Sequence, residues 1–183
     1  MSTGLSPAAH TGTQPTDTVR IDEDLLRRVL EPYSYKGCRY LIDATYRATT
    51  DSMLAYGNFT IAESAYIRST GHFNAAELIL CFNQLAYCSF APAVLNDEIA
   101  ALRGWSITDY LDNQLPSMLI KTTSSRFRKP INAQRFSARL SCRDFRVIER
   151  TLRYLLIPCA IEFWDEHGGS ASGQVELAVL NIP

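Results

Sequence analysis

The segment from His72 to Tyr87 constrains this chain most. Leu78, Ile79, Leu80, Cys81, Phe82, Leu85 and Ala86 put apolar groups on nearly every face of a helix over 73–90, so the spacing predicts a buried helix rather than an amphipathic surface one. Asn74, Glu77, Asn83 and Gln84 nevertheless sit inside it. A buried polar group costs a few kcal/mol, roughly, unless it finds a partner. A chain that carries four of them in one helix uses them for a buried network or for a site.

Strand-like sequence flanks that helix on both sides. A helix over Ile21–Glu31 is expected first, ended by Pro32. A hairpin follows, with strands over Cys38–Thr49 and Met53–Ile61 around an Asp51-Ser52 turn. Ala65–Ser69 reads as a short extended piece. Thr70-Gly71 breaks the chain before the buried helix, and Pro92 is expected just past its end. Asn96 or Asp97 opens a short helix that Gly104 stops, and Ser106 with Asp109 forms a capping box for another that ends near Leu115. Strands then follow at Met118–Arg128, Phe136–Arg143, Tyr154–Trp164 and Gln174–Val179. Pro158 requires a bulge or an edge position in the third of these. His167-Gly168-Gly169 is a turn. This order gives an α+β fold.

The chain has 183 residues, enough for one domain with a full core; 46% hydrophobic and 20% charged residues suit a soluble globular protein. A net charge of -1 gives no field for nucleic acid, and no apolar run of membrane-spanning length is expected. Residues 1–20 are expected to be a flexible tail and 21–183 the folded domain. Cys38, Cys81, Cys88, Cys142 and Cys159 include no CxxC pair and read as buried free thiols of a cytoplasmic protein. Those cysteines and the scattered His10, His72 and His167 lack metal-ligand spacing, so no metal is expected. The Asn58-Phe59-Thr60 sequon is formal only.

Several stretches together point to a known family. They are Val29-Leu30-Glu31-Pro32-Tyr33, Gly57-Asn58-Phe59-Thr60, Tyr66 through Asn74, Ser125 through Pro130, and Glu162-Phe163-Trp164-Asp165. From about Ile21 to Pro183 the chain resembles the FcoT-type hotdog thioesterases of actinobacteria. The resemblance implies one hotdog domain, a long antiparallel sheet wrapped around a central buried helix. It implies either long-chain acyl-CoA thioesterase activity or, as in relatives from isonitrile lipopeptide pathways, addition of glycine to the β-carbon of a 2-enoyl chain on an acyl carrier protein, with hydrolysis of the thioester as a possible second step. It carries site roles onto Tyr33, Tyr66, Asn74 and Asn83. It also implies at least a homodimer, because hotdog sites usually form between protomers.

Asn83 is the informative departure from the wider hotdog group, where an Asp or Glu on the helix often serves as base or nucleophile. An amide has no useful basicity, but it donates hydrogen bonds. Tyr and Asn together suit polarisation of a thioester carbonyl, which amine addition to an enoyl thioester requires. Tyr66, His72 and Glu77 are candidates for the proton transfers. Arg126, Arg128 and Lys129 are candidates for the phosphates of a phosphopantetheine arm or of coenzyme A. Arg68, and second to it Lys121, are candidates for the glycine carboxylate. No cofactor is expected. Bland readings stay open: Asn74 as a first-turn residue, Glu77 paired with a buried Arg, His72 as a turn residue, Tyr33 as packing, and the basic cluster as a solvated strand edge. A non-catalytic acyl-binding protein also stays open.

Overall fold

The computed structural model describes residues 17–183, so most of the expected tail lies outside the described residues. The tail's last two residues, Val19–Arg20, form a short strand β1 against β2 (Leu41–Ala48). Two residues carry no sequence periodicity, which is why they read as tail. α1 (Glu23–Val29) starts on Asp22, whose carboxylate accepts from the Leu25 N–H at 3.1 Å. Pro32 does not end this helix as expected. Leu30 breaks it, and Pro32 lies in the first turn of α2 (Glu31–Ser34), where a residue without an N–H forfeits no bond.

β2 and β3 (Met53–Phe59) form the expected hairpin. Residues 65–69 are not extended. They are a series of bends held by side chains: the Tyr40 hydroxyl accepts from the Ala65 N–H and Glu63 accepts from the Ser69 N–H. α3 then runs from Ala75 to Leu95, five residues past the expected end. Pro92 lies inside it. The bond lost at its missing N–H is offset by tertiary burial, since Ala91 through Val94 are all buried. Asn96 therefore caps α3 rather than opening a helix, and only a 3-10 turn at Ala100–Leu102 precedes Gly104. α4 (Ile107–Ser117) has the expected box: Ser106 Oγ accepts from the Asp109 N–H, and Asp109 accepts from the Ser106 N–H.

Five more strands follow: β4 (Met118–Lys129), β5 (Phe136–Cys142), β6 (Arg146–Glu149), β7 (Arg153–Trp164) and β8 (Ser170–Leu180). Every pairing is antiparallel, in the order β1-β2-β3-β5-β7-β8-β4, with β6 also on β7. Pro158 lies in the middle of central β7. The line of strands beside it is broken there, β5 ending at Cys142 and β6 starting at Arg146, so no ladder partner waits for the missing N–H.

The sheet wraps α3, whose Leu78, Cys81, Phe82, Leu85, Cys88 and Phe90 are sealed in the core with Leu140, Ile161 and Leu177. This is the hotdog arrangement. Gly57 lets the helix approach β3: a Cβ there would stand 2.8 Å from Leu41 and 3.0 Å from Leu85. α3 is, against expectation, long and apolar enough to cross a membrane, but 78% of that stretch is buried inside the fold. The Asn58 side chain is bonded on both sides within the sheet, to Asp43 and Ser137 at 2.9 Å each. All five cysteines are free and buried.

Candidate active site

The four polar residues of α3 have different fates. Gln84 is fully buried and wholly used by the fold. Its Oε1 accepts from the N–H groups of Tyr40 (2.8 Å) and Leu41 (2.9 Å), and its Nε2 donates to the Cys38 carbonyl (2.8 Å). Glu77, 1% exposed, is also used. One oxygen accepts from the Ser64 hydroxyl and the other from the Asn74 N–H at 3.0 Å. No arginine pairs with it among the described residues. Its two oxygens hold the start of the helix and the loop before it.

Asn74 is divided. It is the N-cap, and its Oδ1 accepts from the N–H groups of Ala76 (2.9 Å) and Glu77 (3.2 Å) and from the Tyr66 hydroxyl (2.9 Å). Three donors on the oxygen fix which end of the amide is which. The Nδ2 group has no partner among the described residues and is left as a donor. Asn83 makes no side-chain hydrogen bond of ordinary length among the described residues. Its side chain is the neighbour of the Tyr33 hydroxyl of α2.

The family residues thus form two Tyr–Asn pairs. Tyr66–Asn74 is an outer pair, with Tyr66 46% exposed. Tyr33–Asn83 is an inner pair, both side chains half-buried. Burial chiefly, with the nearby Tyr87, Cys38 and Cys88, pushes the Tyr33 hydroxyl far above the ordinary phenol range, against a smaller opposing effect of Asn83. Tyr33 is therefore a neutral donor at any working pH and not a base. The two asparagines are nine positions apart on the helix, about 13–14 Å of rise. The two pairs are thus set about two and a half turns apart along α3.

A cleft of about 380 Å³ opens at the start of α3, lined by His72, Phe73, Asn74, Phe127, Arg128 and Lys129. Phe73 forms its floor, with ring centroids 4.8 Å from Phe136 and from Phe163 and 6.2 Å from Phe127. A register shift between Phe127 and Lys129 in β4 breaks the alternation, so both Arg128 and Lys129 reach the cleft. Arg126 does not line it. Lys121 lies five residues or more up the strand from the cluster, and Arg68 is on the exposed bends, with no bond to the outer pair. His72 is exposed, and its Nδ1 lies 3.2 Å from the Thr70 carbonyl, which leaves Nε2 as the acceptor.

Asp165, named above only as part of a family stretch and given no role, holds the loop that follows Pro130 of the cleft. It accepts from the N–H groups of Asn132 (2.7 Å), His167 (2.9 Å) and Gly169 (2.7 Å). Burial raises its carboxyl, but these three donors together outweigh that and leave it below the usual range. The loop it holds accepts the Phe73 N–H through Ile131 at 3.1 Å.

A sheet rolled around one helix, with polar pairs on that helix and a basic cleft at its start, defines a hotdog protein of the thioesterase type. The FcoT-like thioesterase domain model matches residues 28–179, and the chain belongs to that family. It is 69% identical, over 100% of this chain and 99% of the relative, to a protein of Mycobacterium marinum named (2E)-enoyl-[ACP] glycyltransferase. It is 76% identical to one of the same name from Mycobacterium tuberculosis H37Rv, over 91% of each. Among solved structures, a phenylacetic acid degradation-related protein of Ralstonia eutropha gives a TM-score of 0.45 at 12% identity, over 85% of this chain and 98% of that one.

Proposed function

We propose that this protein is a (2E)-enoyl-[ACP] glycyltransferase. The observation that carries the reading is full-length likeness at 69% identity to a relative of that name. The reaction joins the glycine nitrogen to the β-carbon of the enoyl chain. The π pair of the double bond shifts toward the α-carbon and charge builds on the thioester oxygen. The nitrogen gives up a proton, the α-carbon takes one, and the thioester is restored. Asn83 and the neutral Tyr33 are the donors we assign to the thioester oxygen. The outer pair orients the substrate through the free Asn74 Nδ2 and Tyr66. His72 Nε2 is the acceptor we assign to the glycine proton, because both Glu77 oxygens are taken. Arg128 and Lys129 suit the phosphate of a phosphopantetheine arm. Arg126 and Lys121 take a lesser part in this reading, and Arg68 stays the candidate for the glycine carboxylate.

The working unit we propose is at least a homodimer of a single domain over 21–183, in the cytoplasm. β4 supports it: twelve residues at the end of the sheet, exposed almost throughout, with Leu119 and Phe127 among them. An open edge of that length invites pairing with another chain. The separation of the two Tyr–Asn pairs supports it too, since a second copy can bring its outer pair to the inner pair of the first.

The test is mass spectrometry of the protein with a crotonyl-loaded carrier protein, with and without glycine. A glycine-dependent adduct is expected, bound or released as the free acid. Release of crotonate at the same rate without glycine overturns the reading in favour of a thioesterase.

A further inference from the structure

The inner pair has a neighbour that neither the family motif nor the sequence pattern singles out. Tyr87 follows Asn83 by four residues, so it lies one turn further on the same face of α3. Its ring centroid is 6.4 Å from that of Tyr33, tilted by 41°, a range in which aromatic pairs hold one another in place. Tyr87 thus stands beside Tyr33 and one turn along α3 from Asn83.

The hydroxyl of Tyr87 is what sets it apart. Three other buried tyrosines have theirs bonded within the chain. Tyr110 donates to the Tyr87 carbonyl at 2.7 Å, Tyr46 accepts from Asn96 at 3.0 Å, and Tyr40 accepts from the Ala65 N–H. Tyr56, also without a partner, stands on the outer side of the sheet between Thr45 and Arg139. Tyr87 is only 6% exposed, yet its hydroxyl has no hydrogen-bond partner among the described residues. Nor is that oxygen sealed off: the sealed, unpartnered side-chain atoms among the described residues are Thr45 Oγ1, Glu98 Oε2 and Gln114 Oε1. Tyr87 therefore presents an uncommitted hydroxyl, not fully sealed, from an otherwise buried side chain. Burial raises it, as it does Tyr33, so it too is a neutral donor.

We infer that Tyr87 is a third donor of the inner cluster, its hydroxyl bonding the thioester oxygen as charge builds there during amine addition. This rests on the polarising role proposed for Asn83. Two phenol hydroxyls and an amide would hold that oxygen without any charged group, and the chemistry of addition leaves no atom of the cluster altered.

The test is Tyr87→Phe, which removes only the unbonded hydroxyl. We expect kcat for glycine addition to a 2-enoyl carrier protein to fall at least tenfold, with KM within twofold of wild type and an unchanged melting midpoint. The Tyr33→Phe, Tyr87→Phe double variant loses less than the product of the single losses, because the two share one acceptor. The infrared carbonyl band of a bound saturated acyl thioester, which cannot add glycine, shifts to lower frequency in wild type and less in Tyr87→Phe. A kcat within twofold of wild type and an unmoved carbonyl band overturn the inference. If Asn83→Ala is nevertheless inactive, the Asn83 reading survives that failure. If Asn83→Ala keeps wild-type kcat, the Asn83 reading itself falls, and this inference with it.

Discussion

The start and the middle of the central helix use the same residue types to opposite effect. At its start, Asn74 and Glu77 are bound into the fold: they cap the helix, tie down the loop before it and hold Tyr66, with only the Asn74 Nδ2 group spare. Two turns further on, Gln84 is locked onto Cys38, Tyr40 and Leu41 at the entry to β2, while its neighbour Asn83 makes no backbone bond and stands by Tyr33 instead. The difference teaches that polarity in a buried helix is not itself a sign of catalysis. What marks a functional group is a donor that the fold leaves unspent.

Adjacent substitutions break this comparison most sharply. Asn83→Ala is expected to lower kcat by about 10²–10³, the loss typical of one oxyanion donor, with little change in urea unfolding. Gln84→Leu, one residue away, is expected to do the reverse. It strands two buried N–H groups and one carbonyl, at roughly 1–3 kcal/mol each, so the urea midpoint falls markedly. Equal stability losses in the two variants would erase the distinction.

Mixing variants sharpens the same point. If the outer pair of one copy serves the inner pair of another, co-refolded Asn74→Ala and Asn83→Ala chains regain about a quarter of wild-type activity, because half the dimers are mixed and each holds one intact site. No regain in mixtures shown by native mass spectrometry to be mixed dimers would place each site within one chain. A smaller effect separates cap from donor at Asn74. Asn74→Ala loses about 1 kcal/mol of helix stability together with activity. Asn74→Asp keeps the cap, since Asp caps as well as Asn, and loses only the Nδ2 donor. Its melting midpoint is expected to match wild type while its turnover does not.

The smallest effect concerns Asp165. Its carboxyl is held below the ordinary range, so the stability it contributes is present above the unfolded-state value, about 4, and is lost as pH falls through the lower folded value. Wild type is expected to lose this part of its stability on acidification below about pH 4, and Asp165→Asn to lack it already at neutral pH. Parallel melting curves for the two across that window would remove Asp165 as the brace of the loop after Pro130.

Much of the fold was legible because its signals were local. Apolar residues on every face marked α3, the alternation of Phe136, Ala138, Leu140 and Cys142 marked β5, and Ser106 with Asp109 marked the start of α4. Local signals failed where tertiary contact decided. Pro92 stays helical because its surroundings bury it, and Arg146–Glu149 is a strand because β7 offers it a free edge. At the site, the residue types were legible and their partners were not. Nothing in the spacing says that Asn83 meets Tyr33, or that Ser64 rather than an arginine meets Glu77. Tyr87 was missed because a tyrosine in an apolar helix reads as core; its four-residue offset from Asn83 was the available signal.

The length and apolarity of α3 have a consequence for how the protein comes to exist. Its 21 residues are synthesised after α1, β2 and β3, which touch it most, but before α4 and the five strands β4 through β8 that complete its cover. At cellular elongation rates of about 5–20 residues per second, the helix waits on the order of ten seconds for its cover. During that interval the nascent chain shows the ribosome's surroundings a segment fit for a lipid bilayer. The order of synthesis therefore leaves the sealing of the core over that one segment to the last strands of the chain.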